Sequence, residues 1–136
     1  MTEAEMNEFC NRWLPCWEKG PEGTDQLLSH YHQDAILVDP NAPEGRKGHK
    51  ELRAFFFEML SAYPEWKFKV DALLPTPEGF VFQYSVDLDY LGQTFEGFRG
   101  VDVMTLENGL ITKHEGYYDR APLTVHRLEE EAKSIP

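Results

Sequence analysis

Four aspartates stand where strand-like runs could carry them into an interior: Asp39, Asp87, Asp102 and Asp119. Asp39 closes the apolar run 35–38 and precedes Pro40. A carboxylate leaving a hydrophobic interior is poorly solvated, which favours its protonated form, and such a group can serve as a base near neutral pH. The competing reading is a turn residue, since Asp-Pro commonly begins an Asx turn. Asp102 sits in GVDVMTL, where period-2 alternation groups it with Phe98, Met104 and Leu106. Val101 and Val103 fall with Arg99 and Thr105, so Asp102 is expected on the inward, more apolar side. Asp119 ends a strand in GYYD beside Tyr117 and Tyr118, as an acid/base group or as a cap on the turn. Asp87 shares a face with Gln83, Ser85 and Asp89, which is either solvated surface or the wall of a polar pocket. Trp13 reads as core, with an indole N–H that needs a partner if buried. His114 reads as a surface or cross-strand residue.

These groups must be held by a small set of elements. Residues 3–19 carry a helical stripe of Met6, Phe9, Cys10, Trp13, Leu14 and Trp17, with Thr2 and Glu5 as a capping box. Pro15 should kink or end that helix near residues 11–14. GPEG at 20–23 is a break, and Thr24 or Asp25 can cap a short helix through Leu27, Leu28 and Tyr31. A first strand spans 35–39 and a loop 40–48. An amphipathic helix over about 49–62 follows, stopped by Pro64. Four strands complete the chain: Trp66–Leu74, Phe80–Leu91, about 94–106 and 110–119, with Asn108-Gly109 as a hairpin turn. Helices segregated against an antiparallel meander give an α+β layer architecture, with a blind pocket between three N-terminal helices and a curved sheet.

Composition narrows the class of function. A chain of 136 residues is long enough for one domain with a real core. Nine Phe, six Tyr and three Trp suggest a core with bulky walls, around a cavity. The formal net charge of -11 repels phosphate backbones and anionic lipid, so neither nucleic acid nor a membrane surface is expected as a partner. Cys10 and Cys16 would lie about 9 Å apart along a helix axis, too far to bridge without distortion. No Cys/His cluster has metal-ligand spacing, and no signal peptide or membrane span stands out. The expectation is a soluble cytoplasmic protein without metal or cofactor. The aromatic face of residues 80–90 is either core or an interface, and a homodimer through the outer face of the sheet is expected.

The order and spacing of four segments resemble the nuclear-transport-factor-two-like superfamily. They are RWL…KG, YHQDAILVDP, GHKELRAFF and NGLITKHEGYYD, and the likeness covers about residues 4–120. It implies a cone-shaped curved antiparallel sheet with three N-terminal helices on its concave face, a cystatin-like α+β barrel. Residues 1–121 form the SnoaL-like domain and 122–136 a C-terminal tail with room for a short helix. Residues 35–56 are most similar to ketosteroid isomerases. That likeness puts Asp39 on the proton-shuttling base and Asp102 on a protonated acid that donates to an enolate oxygen, with Trp13 where a tyrosine donor would stand. Likeness to limonene epoxide hydrolase would put catalytic aspartates at Asp87 and Asp119, with Ser85 in place of an arginine. SnoaL-like cyclases favour Asp119 as acid/base. The resemblance thus implies a cofactor-independent isomerase, cyclase or dehydratase for a small apolar carbonyl compound, with Asp39, Asp102 and Asp119 catalytic and Trp13, Asp87 and Tyr118 at the substrate. The alternative is a non-catalytic ligand-binding or dimerisation module of the same fold; epoxide hydrolysis ranks behind both.

Overall fold

A computed structural model describes residues 1–64 and 66–136. Helix α1 (Glu3–Trp13) opens with the expected capping box: the Thr2 hydroxyl accepts from the Glu5 amide, and the Glu5 carboxylate from the Thr2 amide. Pro15 offers no amide hydrogen to continue the ladder, and the chain tightens into a 3-10 turn over Leu14–Glu18. After a second such turn (Pro21–Gly23) comes α2 (Thr24–Leu28). Thr24 lies inside this helix rather than capping it, its hydroxyl donating to the Pro21 carbonyl. Tyr31, expected at the helix end, instead begins β1 (Tyr31–Asp39).

The segment 40–48, expected as a loop, contains strand β2 (Ala42–Lys47), joined to β1 by the tight turn Pro40-Asn41. Pro43 and Gly45 mimic a loop in the sequence, yet β2 is an edge strand, where a missing amide is tolerated. Helix α3 (Gly48–Ala62) buries Leu52, Phe56 and Leu60. Strands β3 (Phe68–Pro75), β4 (Gly79–Tyr90), β5 (Gln93–Glu107) and β6 (Leu110–Tyr118) follow, then helix α4 (Ala121–Lys133).

The six strands run β2-β1-β6-β5-β4-β3 in one curved sheet. The sheet is mixed rather than wholly antiparallel, because β1 lies parallel to β6. Helices packed on its concave face make the cone. Phe80, Phe82, Tyr84, Val86 and Leu88 of β4 are buried there, so the aromatic stripe is core. Trp13 is fully buried among Phe9, Trp17, Phe80, Phe82 and His114. A bulge between Val70 and Ala72 reverses the facing of β3, so that beyond it Leu73 packs on the core and Leu74 is exposed. The C-terminal segment is docked: α4 buries Leu123 and His126, and His126 Nε2 donates to the Leu91 carbonyl at 2.9 Å.

Gly100 of β5 pairs with Tyr84 on one side and Tyr118 on the other. The Tyr84 ring lies across it, where an added Cβ would collide with the phenol. Gly100→Ala should therefore displace Tyr84 and cost about 1–3 kcal/mol. Urea unfolding checks this; an unchanged midpoint would show that Gly100 is not needed to seat Tyr84.

Candidate active site

The floor of the cone is built from cross-strand rows on β4, β5 and β6. Phe80, Met104 and His114 form one row, Phe82, Asp102 and Gly116 the next, and Tyr84, Gly100 and Tyr118 the third. Two glycines make these rows possible: Gly100 seats the Tyr84 ring, and Gly116 leaves space between two carboxylates. A Cβ at Gly116 would stand 3.2 Å from Asp102 Oδ1 and 3.6 Å from Asp39 Cβ, so Asp39 and Asp102 face each other across this gap. The space above the floor is a cavity of about 440 Å³. Its walls are mostly apolar and rich in aromatic rings, and Asp39, Arg46, Asp102, His114, Tyr118 and Arg120 supply polar edges.

Asp102 is the end of a buried hydrogen-bond chain. Its Oδ2 lies 2.9 Å from His114 Nε2, and His114 Nδ1 lies 2.9 Å from the Tyr31 hydroxyl. Asp102 is 8 %, His114 4 % and Tyr31 2 % exposed, so water cannot substitute for these partners. Burial raises the Tyr31 phenol well above its ordinary pKa and keeps it neutral. The Trp13 indole N–H opposes this rise from close by without reaching hydrogen-bond geometry. Among the described residues the Tyr31 hydroxyl meets no acceptor other than Nδ1, so it donates there. The ring hydrogen of His114 then falls on Nε2 and donates to Asp102. Asp102 Oδ2 is thereby occupied, and Oδ1 stands beside Gly116 at the cavity.

Asp39 is as buried as Asp102, but it is not starved of partners. Its Oδ1 accepts from the amides of Asn41 (2.8 Å) and Ala42 (3.0 Å), and its Oδ2 pairs with Arg46 at 3.0 Å. The Asx turn and the cavity position thus coexist, and the expected poor solvation is replaced by three donors. Arg46 comes from β2, the strand mistaken for a loop; its guanidinium also lies 3.9 Å above the Phe55 ring.

Tyr118 lines the cavity, where its hydroxyl accepts from Asn41 Nδ2 at 2.9 Å and keeps its own hydrogen to give. Burial, and then the Asp39 carboxylate, push its pKa up to about 12. Burial also holds the Tyr84 phenol far above its usual range. Three expected site residues lie elsewhere. Asp119 is exposed and stands just before α4, accepting from the Ala121 amide at 2.9 Å. Asp87 is on the outer face, accepting from the Gly97 amide at 2.8 Å. Trp13 is behind His114 in the core, its ring centroid 6.1 Å from the imidazole. His114, expected at the surface or as a cross-strand residue, is instead buried at the cavity, and Tyr31 and Arg46 join the site without having been expected there. Among the described residues no cluster of three or more His, Cys, Asp or Glu side chains is arranged to hold a metal ion. Nor is any helix long and apolar enough to cross a membrane.

Residues 11–114 match the SnoaL-like domain family, and the chain belongs to it. No curated protein matches the sequence. Several solved structures share the fold. A protein from Jannaschia sp. CCS1, provisionally assigned as a SnoaL-like polyketide cyclase, superposes with a TM-score of 0.78 at 15% identity, covering 90% of this chain and 91% of its own. A SnoaL-like protein of unknown function from Burkholderia thailandensis gives a TM-score of 0.72 at 21% identity, covering 88% and 98%. A protein from Catenulispora acidiphila with a ketosteroid isomerase-like fold, solved with trimethylamine, gives 0.70 at 12% identity, covering 82% and 85%. The cone is thus the nuclear-transport-factor-two-like fold read from the sequence.

The raised pKa values set an alkaline limit on stability. Burial lifts the Cys10 thiol from 9.0 to about 12, and Tyr118 rises from 10.0 to about 12. Both folded-state values exceed the unfolded ones, so their contribution is complete below the unfolded pKa and is lost as pH rises through about 12. Urea midpoints should fall steadily above about pH 9; a flat profile to about pH 12 would contradict the burial of these two groups.

Proposed function

We propose that this protein is a small acid/base enzyme working without a cofactor, of the isomerase, cyclase or dehydratase kind, and that its substrate is a carbonyl compound with an apolar body. The observation that carries the reading is the buried chain Tyr31–His114–Asp102, which ends with Asp102 Oδ1 at an aromatic cavity. In this reading Asp102 takes a proton from carbon next to the carbonyl and returns it elsewhere. His114 donates throughout to Oδ2 and holds the carboxylate still; Tyr31 fixes the imidazole. Charge developing on the carbonyl oxygen needs a donor. Tyr118 is the best placed, because Asn41 occupies its lone pair and leaves the O–H to give; Tyr84 is the second phenol on the same row. These sheet residues do the work expected of a tyrosine at position 13.

The division of labour differs from the one implied by ketosteroid isomerases. Asp39, with three donors already on its carboxylate, is better suited to hold the Asn41 turn and Arg46 than to accept another proton. The same saturation of Asp39 favours the rival reading, a ligand-binding module that does no chemistry. Hydrogen–deuterium exchange into a panel of cyclic enones and ketones separates the two. Asp102→Asn should slow exchange about 10²- to 10⁴-fold, the usual contribution of a positioned base, while Asp39→Asn should cost about tenfold or less. Equal rates in wild type and Asp102→Asn, or no exchange by the wild type across the panel, would remove the catalytic reading.

A further inference from the structure

The walls of the cavity leave one negative charge unanswered. Among the described residues the lining holds the carboxylates of Asp39, Glu58 and Asp102 against the guanidiniums of Arg46 and Arg120. Asp39 is neutralised by Arg46 at 3.0 Å. Glu58 is exposed and Arg120 half-exposed, so both of those charges meet solvent and are screened by it. Asp102 differs from all of them. It is 8 % exposed, and the one titratable group bonded to it is His114, a neutral imidazole that donates to Oδ2. Oδ1 has no hydrogen-bond partner among the described residues, yet part of its surface is open to the cavity. A buried carboxylate without a cation is costly, and a bound cation that donates to it offsets that cost.

We infer that this cavity also takes a protonated amine with an apolar body, its ammonium donating to Asp102 Oδ1 and its body lying among the aromatic rings. The rings themselves favour a cation. Arg46 lies 3.9 Å above the Phe55 ring, so one ring of this lining already holds a positive group by its π face. Tyr84 and Tyr118 stand one row from Asp102, with Phe98 also in the lining, and among the described residues no cation covers these three rings. A neutral hydroxyl could give Oδ1 a hydrogen bond, but only a cation also answers its charge, and charge-assisted bonds are about twice as strong. The volume of about 440 Å³ has room for a body of one or two rings. Gly116 keeps the approach clear, because a Cβ there would stand 3.2 Å from Oδ1. An amine bound in this way occupies the lone pair that proton abstraction needs, so it acts as a competitive inhibitor of the proposed reaction rather than as its substrate.

The inference rests on Asp102 facing a ligand cavity as a carboxylate, as in the proposed function, but not on catalysis. Calorimetric titration at neutral pH with 2-naphthylmethylamine, with 2-naphthylmethanol and with the N,N,N-trimethyl derivative of the amine tests it. The wild type should bind the amine at least about tenfold tighter than the alcohol, the scale of one charge-assisted hydrogen bond. The quaternary derivative keeps the charge but has no N–H for Oδ1, so it should bind more weakly than the amine. Asp102→Asn should lower amine affinity to that of the alcohol and leave the alcohol within about twofold, which also reports that the variant is folded. Asp102→Glu, which keeps the charge, should retain part of the preference. The wild-type comparisons decide the matter even if the asparagine variant does not fold. Alcohol or quaternary ammonium bound as tightly as the amine, equal weakening of amine and alcohol in Asp102→Asn, or no binding of the amine would overturn the inference. Amine preference without deuterium exchange would sink the catalytic reading alone, and exchange without amine preference would sink this inference alone.

Discussion

The interaction on which the site depends is the burial of a carboxylate beside an imidazole that is itself pinned by a phenol. Asp102 belongs to β5, His114 to β6 and Tyr31 to β1, so one chain of hydrogen bonds crosses three neighbouring strands. Removing any member leaves a buried polar group without a partner, which costs about 1–3 kcal/mol and more where the group is charged. The parallel pairing of β1 with β6 is what brings Tyr31 to His114 at all. Joined only through the antiparallel meander, the first strand would stand free of the last, and the imidazole would have lost the group that fixes its orientation.

Packing makes the same chain rigid. Trp13 and Trp17 meet the His114 ring edge-on and Tyr31 stacks on it, with centroids 6.0 to 6.4 Å apart. Behind the floor the core is filled by large rings. Above it, Gly116 leaves space between Asp39 and Asp102, while the space over Gly100 is taken by the Tyr84 ring. Room beside the two carboxylates therefore comes from the absence of one Cβ in a well-packed wall, so the open space sits next to polar groups. The hairpin Asp39-Pro40-Asn41-Ala42 closes one side through a different device, a carboxylate saturated by its own turn and by Arg46.

Much of this was legible in the sequence. The capping box, the end of α1 at Pro15, the helix over 49–62, the aromatic face of β4 and the inward facing of Asp102 follow from local periodicity and turn chemistry. The mixed sheet and β2 were not, because pairing between distant strands leaves no local mark and Pro43 with Gly45 reads as a loop. His114 was missed for a more specific reason. The Asn108-Gly109 turn sets Leu106 opposite Ile111, a register that would point Lys113 and Glu115 inward beside Asp102. One irregularity between Thr105 and Leu106 shifts the pairing to Thr105 with Lys113. After it His114, Gly116 and Tyr118 face the cavity, and a bulge of a single residue has changed which half of β6 is functional. Asp119 and Asp87 failed because strand ends and outer faces offer backbone amides that absorb a carboxylate as readily as a pocket does.

The central claim is the direction of the chain, with Tyr31 donating to His114 and His114 donating to Asp102. Nitrogen-15 NMR of the imidazole at neutral pH reads it directly. The account predicts a neutral His114 with hydrogen on Nε2 and an accepting Nδ1 whose resonance moves in Tyr31→Phe, where its donor is lost. Hydrogen on Nδ1 instead, or an Nδ1 resonance indifferent to the loss of the Tyr31 hydroxyl, would contradict it.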